Sequence, residues 1–232
     1  MNAPPTPPAR HVLAVLDDTV EGALVIEWSA ALAHTLQREL AVVYVESTPA
    51  LVAAALPGTL VLAHAGAQWA PFTPPDVERG FRVQVQRLRT LAGAITLRHA
   101  VNWSLRTVRG ALPHTAFELL AEGDLLFVAS AQPLRLLHAS RGSGAAARPA
   151  RATRVATVTD GSEAGARGVR AATQLAQALS APLQVLQLAP GEDATEPLLR
   201  AGLQHADVLV LPRALASQRS LARAPCPTLL VA

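Results

Sequence analysis

The stretch "VATVTDGSEAGARG", residues 155–168, is a short apolar run that ends in an acid, a glycine and a serine before a series of small helix formers. Asp160, Gly161 and Ser162 are residue types that serve ligands. A carboxylate accepts hydrogen bonds from hydroxyls, a glycine lets backbone approach closely at positive φ, and a serine caps a helix start where anions also bind. Little else in the chain suggests chemistry. The seven histidines are scattered, with no H-E-x-x-H and no close His/Asp/Glu spacing, so no metal site is expected. There is no G-x-S-x-G elbow and no visible catalytic set, and the chain is read as non-enzymatic. A single cysteine, Cys226, excludes an internal disulfide. Flanked by Pro225 and Pro227, it reads as a core thiol rather than a redox switch, which would need an exposed, activated thiolate. One cluster carries two readings. Arg98, Arg106 and Arg109 with Trp103 could form a cationic, aromatic surface for an anion, or the segment is a strand followed by a loop of solvated arginines, the preferred account.

The elements that position these residues emerge from an internal repeat. "HVLAVLDDTVEGALVIEWSAALAHTLQRELAVVYV" from His11 lies over "RVATVTDGSEAGARGVRAATQLAQALSAPLQVLQL" from Arg154 without a gap for about 35 residues. Asp17 meets Asp160, Gly22 meets Gly165, Leu32 meets Leu175 and Val42 meets Val185. Each copy reads as strand, acidic turn, helix, strand. Thr19 and Ser162 stand at the helix N-caps. Ala166, Val169, Thr173, Ala176 and Leu179 are expected to form the face packed on a sheet. "VLAVL" and "LAVVYV" are almost continuously apolar, as parallel strands covered on both faces must be. Further on, "LLAEGDLLFVAS" at 119–130 matches "GLQHADVLVLPR" at 202–213, with Asp124 over Asp207. The second copy is therefore shorter by about 60 residues. In the first copy that interval holds a helix over "DVERGFRVQVQRLRTLA", a strand around "AITLRHAV", and an apolar insert at 47–72 cut by Pro49, Pro57, Gly58 and Gly66. The insert, with Trp69 and Phe72, is either a cover over a sheet crevice or, by slight preference, part of a subunit interface. The organisation expected is a disordered lead-in at 1–10, a first α/β unit at 11–138, a linker at 139–152 and a shortened second unit at 153–232.

Composition narrows the function classes. In 232 residues half are apolar and aromatics are only 3%, so alanine, valine and leucine must carry the core. All basic residues are arginine and the net charge is only +3, which gives no sign of a nucleic-acid partner. The proline-rich start "MNAPPTPPAR" lacks the apolar core of a signal peptide, and the prolines of the insert leave no segment able to span a bilayer. A cytoplasmic protein without membrane contact is expected.

The order and spacing of "VTDGSEAGARGVRAATQLA", "EGDLLFVAS", "HADVLVLP" and the ending "APCPTLLVA" resemble the universal stress protein family in its tandem form. The resemblance covers most of residues 11–46 and 110–232. It implies a doubly wound, Rossmann-like α/β fold with a parallel five-strand sheet and a ligand crevice where strand order reverses. It also implies a homodimer or internal pairing of the two units, and an unidentified protein partner. Members that bind ATP resemble one another in a glycine loop after the fourth strand, whose N–H groups face the phosphates. In the second copy Arg213 and Ala216 stand in place of the first two glycines, and in the first copy Ser130 and Pro133 do. The expectation is a stress-type protein without tight ATP binding and without a cofactor. The alternative is a sensor that holds ATP or AMP in the first copy through Asp17, Val43, Ser130, Gly142 and Ser143. Asp160, Gly161 and Ser162 are the matching candidates in the second.

Overall fold

The computed structural model describes residues 11–17, 22–62, 69–120, 125–129, 153–188, 206–224 and 226–232. The expected lead-in at 1–10 and linker at 139–152, with Thr19, Ser130, Gly142 and Ser143, lie outside the described residues. The first copy of the repeat forms β1 (Val12–Leu16), α1 (Gly22–Thr35) and β2 (Leu40–Ser47). Then come α2 (Thr48–Ala55), a hairpin of β3 (Leu60–Leu62) and β4 (Trp69–Pro71), and the long α3 (Pro74–His99). β5 (Trp103–Gly110), α4 (Leu112–Leu119) and β6 (Leu125–Val128) complete the first half. The second copy forms β7 (Val155–Thr159), α5 (Glu163–Ala178) and β8 (Leu183–Gln187). It ends with β9 (Val208–Pro212), a 3₁₀ turn at Arg213–Leu215, α6 (Gln218–Arg223) and β10 (Thr228–Val231).

The architecture is Rossmann-like α/β, but the strands do not form separate five-stranded sheets. They make one eight-stranded sheet in the order β5-β2-β1-β6-β10-β9-β7-β8. All neighbours are parallel except β10, which runs antiparallel to β6 with Thr228 opposite Val128 and Val231 opposite Leu125. The final strand thus joins the halves: it is parallel to β9 on one side and closes the first half on the other. Val12, Val15, Leu126, Phe127, Leu229 and Leu230 are essentially buried, as continuously apolar inner strands must be. One face of the sheet is covered by α1, α3 and α5 around Tyr44, Phe127 and Leu175. The other is covered by α4 and α6 around Val15, Val128 and Leu221.

Three expectations are corrected. "AITLRHAV" is not a strand but the last turns of α3, whose Phe81, Leu88, Ala92 and Ile95 are buried at helical spacing. A short apolar run cannot be told from a buried helix segment by period alone, and the helix ends only at Ala100, in the left-handed region at φ 53°. The strand lies further on: 103–110 is β5, paired with all eight residues of β2, not a loop of solvated arginines. Finally, the packed face of α5 is rotated from the one expected. Gly165, Gly168, Ala171, Ala172, Leu175 and Ala176 are buried, whereas Ala166 is exposed. The reason is close approach: a Cβ at Gly168 would sit 2.6 Å from Pro212 Cγ on β9. The insert is α2 and the β3–β4 hairpin; α2 packs on α3 and β5.

Candidate functional site

In open α/β sheets, ligands lie outside the carboxyl ends of the strands, where successive crossovers leave for opposite faces. This sheet has two such points, between β1 and β6 and between β7 and β9. Because β10 reverses direction against β6, the two open at opposite ends of the sheet.

At the second point the side chains of the quoted turn are brought together. β7 ends in Thr159, and Gly161 at φ 80° turns the chain back so that its N–H donates to Thr159 Oγ1 at 3.2 Å. The backbone N–H of Ser162 donates to Asp160 Oδ1 at 3.0 Å, and the Ser162 hydroxyl donates to the same oxygen. These bonds, the hydroxyl first, favour the ionised form and hold the Asp160 carboxyl below its ordinary pKa. The Ser162 oxygen in turn accepts from Gly165 N–H at 3.1 Å and caps α5. Glu163 adds a second acid in the first turn. Two carboxylates therefore already complement the positive end of the helix, and both would repel a third anion there. The turn is also compact. A Cβ at Gly165 would lie 2.5 Å from Thr159 Oγ1 and 2.8 Å from Asp160 Oδ1. With Gly168 against Pro212, α5 lies directly on the strand ends it follows. After β9, Arg213 does not turn toward this site. Its guanidinium stacks over Phe117 of α4, 5.2 Å from the ring centroid.

The first point is described only in part. Asp17 directly follows β1 and is half-buried, with a bonding partner of its own. Val43 is fully buried in the middle of β2, facing α4 and α6, with its backbone in the ladder beside Val15 and Arg106. Its side chain is therefore out of reach of a ligand. Ser130, Gly142 and Ser143 lie outside the described residues, so only Asp17 and Val43 of the first-copy set are placed here.

The arginine cluster does not assemble as a cationic surface. Arg98 Nη2 bonds Glu27 Oε2 at 2.6 Å, and His99 Nε2 lies 2.8 Å from the other oxygen. Arg109 bonds Glu46 at 2.9 Å with Glu78 at 3.5 Å; the Glu46 carboxylate, then Glu78, holds its guanidinium more firmly charged than usual. Trp103 packs inward instead, where a Cβ at Gly93 would touch its ring at 3.6 Å. Cys226 is buried, 2% exposed, in the core beneath α4 and α6. Among the described residues no three His, Cys, Asp or Glu side chains stand close enough to hold a metal, and no helix is long and apolar enough to cross a membrane. Sequence reasoning missed Gly168, Pro212 and Phe117 as parts of this region. The spacing of Gly165 and Gly168, two glycines three apart on one helix face, was the available sign of a close approach.

No protein-family model matches the sequence, and no curated protein does. Solved structures do. A universal stress protein from Archaeoglobus fulgidus DSM 4304 is similar over 94% of this chain and 95% of its own, at 10% identity and a TM-score of 0.46. A protein of the universal stress protein family from Burkholderia pseudomallei is similar over 78% of this chain and 97% of its own, at 18% identity and a TM-score of 0.34. The strand order and directions make the chain a mostly parallel, Rossmann-like α/β protein.

Proposed function

We propose that the chain is a non-enzymatic stress-response protein that works through contacts with other proteins, in the cytoplasm, without holding ATP tightly. The observation that carries this is the β7–α5 turn. Its N–H of Gly165 is taken by Ser162, its helix start is already met by Asp160 and Glu163, and Gly165 and Gly168 serve close packing rather than a phosphate. Phosphate oxygens need unoccupied N–H donors and a positive field; here the N–H groups of Gly161, Ser162 and Gly165 already have acceptors within the turn, and Asp160 and Glu163 offset the field. A second reading rests on Asp17, which stands at the carboxyl end of β1 beside the other reversal point. On that reading the first copy senses ATP or AMP through Asp17 and the chain that follows β6.

Thermal unfolding with millimolar ATP or AMP separates the two. A ligand that binds only the native state at about 100 times its Kd stabilises by about 2.7 kcal/mol, a clear rise in Tm. The proposed function expects no shift. A rise that disappears in Asp17→Ala would establish the sensor instead.

A further inference from the structure

We propose that the outer face of α3 docks an acidic helix of a partner protein, laid side by side along the helix axis. The proposal rests on the reading above that the chain works through protein contacts, and it names the partner's chemistry. Charge is unevenly spread along the chain. Between Trp69 and Gly110 seven arginines meet only two acids, although the whole chain nets only +3. This stretch falls within the interval that the shorter second copy lacks, so the extra helix and strand bring a basic surface with them.

α3 has two faces. Val77, Phe81, Leu88, Ala92 and Ile95 are buried in the core. On the opposite face Val83, Thr90 and Leu97 recur every seven residues, about two turns apart, and all three are exposed. Leu97 is 83% exposed. Arg82 and Arg89 flank this line on one side and Arg87 on the other, all exposed. The two acids of α3 are occupied elsewhere: Asp76 bonds Arg79, and Glu78 lies against Arg109. Among the described residues no carboxylate pairs with Arg82, Arg87 or Arg89.

The pattern is that of one side of a helix pair. In paired helices the seam recurs every heptad, and the charges just beside it select the partner. Here the seam is Val83, Gln86, Thr90 and Leu97, and every charge beside it is positive. Thr90 and Ala94 are small enough to let a second helix lie about 8–10 Å away. Charge decides the occupant. A second copy would set these arginines against their own copies, whereas glutamates beside the seam of a partner helix pair with all three. A lipid surface needs a broad apolar face to bury, and the apolar face of α3 is in the core. A nucleic-acid backbone is held by cations facing phosphates, but the centre of this face is uncharged.

A synthetic peptide of about three heptads, with Leu along its seam and Glu at both flanking positions, serves as the acidic helix. Fluorescence anisotropy with the full chain should give a Kd of about 10 µM, weaker in high salt. Arg82→Glu with Arg87→Glu and Arg89→Glu should weaken binding at least about 100-fold. The same triple variant should gain affinity for the peptide with Lys in place of Glu, which also shows that it is folded. Leu97→Ser should weaken the acidic peptide about tenfold, and Arg170→Glu on α5 should leave its affinity unchanged.

The proposal is overturned if the acidic peptide does not bind at about 100 µM, or if a scrambled peptide of the same composition binds equally well. An unchanged affinity in the triple variant or in Leu97→Ser overturns it too, as does an equal loss in Arg170→Glu. So does tighter binding to phosphatidylglycerol vesicles or to single-stranded RNA that the triple variant abolishes, since that anion would then be the occupant. A rise in Tm with ATP bears on the reading of the whole chain and leaves these outcomes as they are. Failure of the peptide, in turn, leaves the ATP test untouched.

Discussion

Tyr44 and Gln187 fill the same position in two copies of one strand, and almost everything around them differs. Tyr44 is fully buried and meets Phe81 of α3 edge-on, with ring centroids 6.1 Å apart. Gln187 is exposed. The same contrast recurs along the repeat. Gly22 faces Leu88 of α3, where a Cβ would make an ordinary contact at 3.7 Å, while Gly165 is pressed against its own turn at 2.5 Å. Glu27 gathers Arg98 and His99 from the end of α3, whereas its counterpart, Arg170, is exposed. The longer first half uses its extra helix and strand to bury what the shorter half leaves open. The shorter half compensates by tightening α5 onto its strands. One repeated pattern therefore yields a covered half and a compact half in which no described strand lies on the outer side of β8.

Substitutions at matched positions test that contrast. The largest effect is expected at Tyr44→Ala, which should cost about 3–5 kcal/mol for an aromatic side chain lost from the core. Gln187→Ala should change stability by less than about 0.5 kcal/mol. Urea unfolding with a constant m-value checks both, and equal costs would erase the distinction between covered and open strands. Next come the glycines. Gly165→Ala should lose about 1–3 kcal/mol by overpacking, whereas Gly22→Ala should be neutral or gain up to about 1 kcal/mol from helix propensity. The midpoint difference between the two variants would be absent if both turns were equally roomy.

Ser162→Ala removes the cap of α5 and should cost about 1 kcal/mol. It also carries a pH signature. Asp160 has a lowered folded pKa, so its contribution is present above the unfolded value near 3.8 and fades as pH falls through the folded value. Wild-type protein should therefore lose more stability than Ser162→Ala in that acid range. Parallel pH curves would mean that the serine does not hold the carboxylate. A smaller cost is expected for Glu27→Gln, less than about 1 kcal/mol and weakened by salt, because the pair is partly solvated. Arg170→Gln should change nothing measurable in the same thermal scans.

Much of this was legible in the residues. The apolar continuity of "VLAVL" and "LAVVYV" marked inner parallel strands, and Ser162 followed by small helix formers marked a capped helix start. The misreadings share one cause. Ile95 and Thr96 favour strands locally, but burial beside Ala92 and Leu88 made them helical. The register of α5 was missed because its face is chosen by Pro212, a residue far away in the chain. Of the candidate site residues, Asp160, Gly161 and Ser162 act within one turn and could be read from their spacing. Arg98, Arg109 and Trp103 could not, since their partners Glu27, Glu46, Glu78 and Gly93 arrive from other elements.

By itself the sequence determined the local units: the doubled strand–turn–helix–strand, its caps and its apolar faces. Those depend on neighbours within a few residues, where backbone geometry and side-chain period leave little choice. Only the tertiary structure decided that β10 would run antiparallel beside β6 and merge the halves into one sheet, and that β5 would shelter one copy of the strand but not the other. Strand pairing joins residues about a hundred positions apart in the chain, and no local pattern states which edges will meet.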